Sequence, residues 1–159
     1  MGATIDPTGQ YRYSLWRQWD DRPQITFIML NPSTADANTN DATIRRCIGF
    51  ARAWGYGRLE VVNLFAYRTT HPRSLMQIED AIGPDNDRHL LQASQQAQKV
   101  ILAWGNWGRL HDRHQQVLQL LQGQLLQSQS FLYHFGITQA GYPRHPLYLS
   151  HQTRLLKWR

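Results

Sequence analysis

Four short apolar runs, separated by segments with helical spacing, constrain the fold of this chain more than any other feature. The runs are Ile25–Leu30, Leu59–Val62, Val100–Ala103 and Phe131–Phe135. Strands that alternate with helices in this way form a largely parallel sheet covered on both faces. We therefore expect an α/β protein with a mainly parallel central sheet. The length of 159 residues fits one domain spanning residues 1–159.

Three segments between these runs carry helical signals. Asp41 is a typical N-cap for a helix that continues to Trp54, in which apolar residues recur every three or four positions. The segment Pro84–Gln98 predicts a second helix, with proline in its first turn. The segment Trp107–Leu121 predicts a third helix.

A further strand is predicted before the first apolar run. Tyr11–Trp16 alternates weakly between polar and apolar residues, and a turn-forming segment separates it from Ile25–Leu30. We interpret the two as a β-hairpin that enters the sheet. The Gln- and Leu-rich segment Gln116–Gln129 is interpreted as a helix end followed by a loop.

The positive charge of the chain comes almost entirely from arginine. The formal net charge is +6, and Lys99 and Lys157 are the only lysines. Arginine makes planar, bidentate contacts with phosphate and stacks on flat rings. The composition therefore fits a partner that carries phosphates and bases, although a basic solvated surface explains the charge equally well.

Membrane and secreted classes are not expected. No apolar run approaches the ~20 residues that a bilayer span needs, and the first ten residues lack the apolar stretch of a signal peptide. The single Cys47 cannot form an internal disulfide. We expect a cytoplasmic protein without a membrane partner.

Polar segments follow each of the four apolar runs, and they begin at Asn31, Asn63, Trp104 and Gly141. The carboxyl ends of parallel strands meet at one edge of a sheet, where ligands bind, so these segments are expected to converge on one pocket.

Two of these segments begin with asparagine. Asn31 can hold a water or read a base edge, but its uncharged amide cannot act as a general base. Asn63 follows a buried run, where an amide is costly unless it is paired, and it could recognise the edge of a base. Each also has a structural interpretation: Asn31 as the cap of an Asn-Pro turn, and Asn63 as an amide satisfied by the loop backbone.

The other two segments contain a glycine-rich turn and a histidine. Trp104, Gly105 and Asn106 are candidate substrate-binding residues, because glycine lets the backbone approach a ligand, although a tight packing turn explains them equally well. His145 lies between two prolines and could donate a hydrogen bond to charge that develops during a reaction. An ordinary surface histidine remains the alternative.

Metal sites are weakly indicated. His111 and His114 lack the intervening carboxylate of a zinc protease. Four aspartates could ligate Mg²⁺, but helix capping explains two of them better. We expect no metal and no cofactor. The aspartates are Asp36, Asp41, Asp85 and Asp87.

Five motifs carry a resemblance to an uncharacterised bacterial and phage family, a domain of unknown function. The similarity covers nearly the whole chain but implies no activity. The motifs are Asn31–Asp36, Asn40–Cys47, Val61–Arg68, Gly83–Asp87 and Pro143–Tyr148.

The order of the polar segments is also similar to that of the uracil-DNA glycosylase superfamily. This resemblance implies a three-layer α/β/α fold. It gives Asn31 the role of positioning the attacking water, Asn63 that of reading the base and His145 that of stabilising the departing base. It also implies substrate contacts for Ser33 and stacking for Phe65. The serine departs from the superfamily, since many members carry an aromatic residue there.

The leading hypothesis is hydrolysis of an N-glycosidic bond in a nucleic acid, DNA in preference to RNA, or in a nucleotide. The alternatives are a non-catalytic binder of the same partners and a Mg²⁺-dependent phosphohydrolase built on the aspartates. In the first two cases we expect arginines to contact phosphates. The candidates are Arg45, Arg46, Arg68, Arg109 and Arg144.

Overall fold

The computed structural model of the protein describes residues 1–125 and 131–158. Strands and helices alternate through most of this length. In chain order, the elements are β1 (Gly2–Ile5), β2 (Arg12–Gln18), β3 (Gln24–Met29), α1 (Ala42–Ala53), β4 (Arg58–Asn63), a 3₁₀ helix (Pro72–Gln77), α2 (Asn86–Gln96), β5 (Lys99–Leu102), a second 3₁₀ helix (Asn106–Asp112), α3 (Arg113–Leu125), β6 (Phe131–His134) and β7 (Leu156–Lys157).

The strands form one mixed sheet in the order β1-β2-β4-β3-β5-β6-β7. The four central strands β4, β3, β5 and β6 are parallel to one another, whereas β1, β2 and β7 join through antiparallel pairings. The α/β class is therefore confirmed. The expected parallel arrangement describes the centre of the sheet but not its outer strands.

The predicted β-hairpin is wrong. Strand β4 lies between β2 and β3, and it pairs antiparallel with β2 and parallel with β3. The turn residues carry the chain past the start of β4, where Gly57 N–H donates to Pro23 O at 3.1 Å and Trp19 N–H donates to Gly57 O at 3.0 Å. Strand β3 is buried at all six positions, so a central place with a partner on each side suits it better than a hairpin.

The first helix follows the sequence prediction, and the third does not. The Asp41 carboxylate accepts a hydrogen bond from Ile44 N–H at 2.9 Å and caps α1. Helix α3 begins at Arg113 rather than Trp107, because the chain kinks at His111, where φ is 53°.

The segment Gln116–Gln129 is helical further than expected. Helix α3 includes its residues as far as Leu125, whereas residues 126–130 of that prediction lie outside the described part of the chain. The second helix starts two residues after Pro84, with Asp85 as its N-cap.

Apolar side chains cover both faces of the sheet. Helix α1 contributes to the core on one face, and helices α2 and α3 contribute to the core on the other. Burial of this apolar surface is the main force that holds the helices against the sheet. Within residues 1–125 and 131–158, no helix has both the length and the apolar character needed to cross a membrane.

The connection between the parallel strands reverses direction at the centre of the sheet. If β3, β4, β5 and β6 are counted from one to four, their spatial order is 2-1-3-4. The chain therefore leaves β3 toward one side for β4 and returns past it to β5. Such a switch point opens a crevice at the carboxyl ends of the two strands, where ligands bind in open α/β sheets.

Candidate functional site

A pocket of about 430 Å³ lies at the carboxyl ends of β3, β4 and β5. Its volume falls within the ~300–1,000 Å³ typical of small-molecule sites. The four polar segments all approach this edge of the sheet. The pocket is lined by Arg12, Met29, Leu30, Asn31, Pro32, Ser33, Asp41, Thr43, Ile44, Val61, Asn63, Thr69, Thr70, Pro72, Trp104, Gly105, Asn106, Trp107, His145 and Leu147.

Asn63 is the most unusual of these residues. It ends β4 and is only 1% exposed, yet neither its Nδ2 nor its Oδ1 has a hydrogen-bond partner in the described part of the protein. Its backbone is held firmly, because Asn86 Nδ2 donates to Asn63 O at 2.8 Å. A buried amide without partners costs roughly 1–3 kcal/mol. The Nδ2 donor group and the Oδ1 acceptor of Asn63 can therefore each form a hydrogen bond with a ligand.

Asn31 is held in one orientation by its own loop. Its Nδ2 donates to Pro32 O at 3.0 Å and to Thr69 O at 2.8 Å. Because only the amide nitrogen can donate to two carbonyl oxygens, these contacts identify the nitrogen and the oxygen of the side chain. The oxygen is the atom left to accept a hydrogen bond from a water or ligand.

The turn after β5 brings the third and fourth polar segments together. Gly105 has φ 73°, in the left-handed region where glycine is favoured, and its N–H donates to Pro143 O at 2.8 Å. Asn106 Oδ1 accepts a hydrogen bond from the Thr138 hydroxyl at 2.6 Å. Trp104, which is 2% exposed, forms part of the pocket wall. These contacts place His145 next to the turn.

His145 carries a defined hydrogen-bonding pattern. Its Nδ1 accepts a hydrogen bond from Leu147 N–H at 3.2 Å, so the proton of the neutral ring is on Nε2. Although the residue as a whole is exposed, nearby protein atoms desolvate the ring and lower the pKa of His145. The negative charge of Asp41 opposes this shift. Near neutral pH, His145 is therefore an uncharged ring with one N–H to donate.

The substrate role expected for Phe65 is contradicted by its burial. Phe65 is 0% exposed and lies in the apolar core rather than in the pocket wall, so neither face of its ring is free to stack on a base. Ser33 does line the pocket. Trp107, on the turn after β5, is a pocket aromatic that the sequence interpretation did not select.

None of the five arginines proposed as phosphate contacts lines the pocket. Arg45, Arg109 and Arg144 are exposed. Arg46 contacts the ring of His151, at 2.9 Å from Nδ1, and Arg68 donates to Gly9 O at 3.3 Å. The structure therefore does not gather these side chains into one cluster at the site.

A different arginine does line the pocket. Arg12 begins β2 and is 2% exposed, with Nη1 donating to Ala35 O at 3.0 Å. Burial lowers the pKa of Arg12 to about 10, which still leaves the guanidinium charged at neutral pH. The sequence offered one signal, a charged residue in a strand that alternates toward the core, but it did not show which way the side chain points.

The four candidate aspartates are engaged in separate local contacts. Asp87 pairs with Arg113 at 2.5 Å, and Asp36 Oδ1 accepts hydrogen bonds from two backbone N–H groups of its own loop. Within residues 1–125 and 131–158, no group of three or more His, Cys, Asp or Glu side chains is placed to hold a metal ion. This arrangement gives no support to the phosphohydrolase hypothesis, which requires these aspartates to act together.

Comparison with known proteins identifies the family. The model of a protein family of unknown function, DUF1643, matches residues 12–147, which include every pocket residue. No curated protein and no solved structure matches the chain. The matched region covers most of the sequence, and the protein belongs to the DUF1643 family.

Proposed function

We propose that the protein hydrolyses the N-glycosidic bond between a base and its sugar. The observation that carries this proposal is the buried Asn63 amide, whose free donor and acceptor lie in the pocket wall. The side-chain amide has an N–H donor group and a carbonyl acceptor, and these can pair with an acceptor and a donor on the edge of a base. Keeping such an amide unpaired is costly, so recognition of a polar, flat ligand accounts for it better than packing does.

Two further groups of the pocket fit the bond-breaking step. When the C1′–N bond breaks, its electron pair leaves with the base and the sugar becomes an oxocarbenium-like cation. The Nε2–H of His145 donates a hydrogen bond to the base as negative charge develops on it. One well-placed donor of this kind contributes about 3 kcal/mol to transition-state stabilisation.

Asn31 completes the reaction by orienting water. Its free Oδ1 accepts a hydrogen bond from a water, whose oxygen adds to C1′ while the water proton passes to solvent or to the departed base. This arrangement needs no charged general base, because the attacked sugar is already strongly electrophilic.

The uracil-DNA glycosylase superfamily provides the model for this assignment. The 2-1-3-4 order of the parallel strands and the helices on both faces of the sheet support a three-layer α/β/α arrangement of that kind. The order of Asn31, Asn63, Trp104 and His145 around one pocket supports it further. The substrate is a nucleic acid, DNA in preference to RNA, or a nucleotide. The protein acts on it in the cytoplasm.

Product analysis tests the proposal. The protein is incubated with natural and base-modified nucleotides and with single- and double-stranded oligonucleotides, and the products are separated by chromatography and identified by mass. Release of a free base with retention of the sugar supports the hydrolase. Saturable binding without any product assigns the same pocket to a binding module instead, and contradicts catalysis.

A further inference from the structure

Arg12 reaches the pocket because of an irregularity in β2. Thr4 of β1 pairs with Ser14, but the next residue, Ile5, pairs with Arg12, so Tyr13 is an extra residue in β2. Such a β-bulge redirects the side chains on either side of it, and bulges are frequent beside active sites. Regular alternation would place residues 12 and 15 on opposite faces. Here both contact the same side of the sheet, where Arg12 reaches Ala35.

Arg17, on the same strand, shows what a purely structural arginine looks like in this fold. It is 3% exposed, and all three of its nitrogens donate. Nε donates to Asn40 Oδ1 at 2.8 Å, Nη1 donates to Trp16 O at 2.8 Å and Nη2 donates to Asp36 O at 2.6 Å. Two of its nitrogens hold the loop that leads to α1, and the third is used within the sheet.

Arg12 contacts the same loop through fewer hydrogen bonds than Arg17. Nη1 makes its one hydrogen bond, to Ala35 O, and Nε is buried without a partner in the described part of the chain. Burial of a guanidinium is costly unless most of its donors are satisfied. Unlike Arg17, Arg12 is part of the pocket wall. Its unpaired Nε–H is therefore available to a bound ligand.

The carboxylate of Asp41 does not satisfy these donors. Asp41 also lines the pocket and raises the pKa of Arg12 electrostatically, but no ion pair within 4.0 Å joins them among residues 1–125 and 131–158. Both Asp41 oxygens are directed to backbone N–H groups, those of Ile44 at 2.9 Å and Ala35 at 3.4 Å. The carboxylate thus serves α1, and the guanidinium keeps its capacity for an anion.

We propose that Arg12 is the anion-binding residue of this pocket and that it contacts the phosphate of a free nucleoside 5′-monophosphate. This proposal rests on the assignment of the pocket to nucleotide chemistry. A planar guanidinium can donate two parallel hydrogen bonds to phosphate oxygens. Hydroxyl groups that also line the pocket can donate hydrogen bonds to the remaining phosphate oxygens. They belong to Ser33, Thr43, Thr69 and Thr70.

The location of Arg12 favours a free nucleotide over a strand. A strand carries its phosphates along a protein surface, where exposed arginines contact them. Arg12 is 2% exposed and lies inside a pocket of about 430 Å³, which is larger than a single base needs. A whole nucleotide can place its base at Asn63 and its phosphate at Arg12.

Binding measurements test the proposal on the whole protein. Isothermal titration compares uridine, adenosine, cytidine and guanosine with their 5′-monophosphates and with a single-stranded oligonucleotide. We expect at least one monophosphate to bind about tenfold to hundredfold more tightly than its nucleoside, since hydrogen bonds to charged groups are the stronger ones. Arg12→Met should abolish this difference and Arg12→Lys should restore part of it. Arg17→Lys is the matched control and should keep it.

Four outcomes would overturn the proposal. They are equal affinities for nucleoside and monophosphate, no binding of any monophosphate, a phosphate preference that survives in Arg12→Met, and Arg12-dependent binding that is tighter for the oligonucleotide than for the monophosphate. If Arg12→Met does not fold, NMR of the ¹⁵N-labelled wild type provides a second test, through the Nε–H signal of Arg12. This signal should shift when the monophosphate is added but not when the nucleoside is added.

These results separate the proposal from the hydrolase assignment. Phosphate-dependent binding without base release retains the role of Arg12 and rejects the reaction. Base release that is equally fast for nucleosides and for nucleotides retains the reaction and rejects the role of Arg12.

Discussion

The backbone N–H of Leu147 donates a 3.2 Å hydrogen bond to Nδ1 of His145. This contact does more than shape the loop, because it determines where the imidazole proton resides. With Nδ1 occupied as an acceptor, the neutral ring can donate only through Nε2. His145 thus lies at the pocket as a fixed hydrogen-bond donor.

Replacing His145 tests the proposed stabilisation of the departing base. His145→Ala removes the Nε2–H donor, so single-turnover base release should slow by about 10²-fold or more while nucleotide affinity changes little. His145→Gln retains an amide N–H and should recover part of the rate. Circular dichroism should show both variants folded, because His145 is exposed and contributes little to the core.

The rate should also depend on pH through His145. Desolvation lowers the pKa of this ring below its ordinary value near 6.5. Protonation would place a hydrogen on Nδ1 facing Leu147 N–H and break the contact that orients the ring. The rate of base release should therefore be constant near neutral pH and should fall as the pH drops through the lowered pKa of His145.

Stability should follow the same direction. A histidine whose folded pKa is depressed contributes stability that is present above its unfolded pKa and is lost as the pH falls toward the folded value. Melting temperatures of the wild type and His145→Gln, measured from pH 7.5 to 5, should converge as the pH falls. A contribution that grows on acidification would contradict the neutral ring.

Asn63 should show a conflict between stability and function. Asn63→Leu removes a buried amide without partners, so it should raise the free energy of unfolding by about 1 kcal/mol and abolish nucleotide binding. Asn86→Leu is the matched control. Asn86 is also buried, but its Nδ2 donates to Asn63 O and Leu64 O, so its loss should destabilise the protein by about 2 kcal/mol. Denaturant unfolding measures both. Equal destabilisation by the two changes would mean that Asn63 is a structural residue.

Salt dependence distinguishes the pocket from the outer arginines. A strand that contacts Arg45, Arg109 and Arg144 would lose affinity with a slope of roughly −0.7 to −0.9 per phosphate neutralised. A free nucleotide held by Arg12 should give a shallow slope, near that of a single phosphate. Arg45→Gln, Arg109→Gln and Arg144→Gln should each leave nucleotide affinity within about twofold. A steep slope that these changes reduce would point to a strand.

The sequence predicts the centre of this fold well because its signals there are local. Each of the four buried runs is apolar enough to form a strand. The residues that directly follow two of these runs, Asn63 and Trp104, line the pocket as predicted. The outer strands depend on pairing between distant segments. Strand β4 lies between β2 and β3, where a hairpin was expected. No feature of the local sequence predicts this pairing.

The parts of the pocket that sequence reasoning missed have a similar cause. Arg12 enters the site through a one-residue bulge in a pairing with β1, which was not predicted as a strand. Phe65 lies two residues after Asn63, but its side chain is buried in the core beside residues of α2 and α3 and does not line the pocket. In both cases tertiary packing decides where the side chain points.

Hydrolysis of a glycosidic bond is the central activity proposed for this pocket. The decisive measurement is single-turnover release of free base, with the wild type in excess over nucleotide and oligonucleotide substrates at pH 7.5, alongside His145→Ala. We predict release of a free base from at least one 5′-monophosphate, and a rate about 10²-fold lower for the variant. Absence of free base from every substrate, or equal rates for the two proteins, would contradict the proposed function.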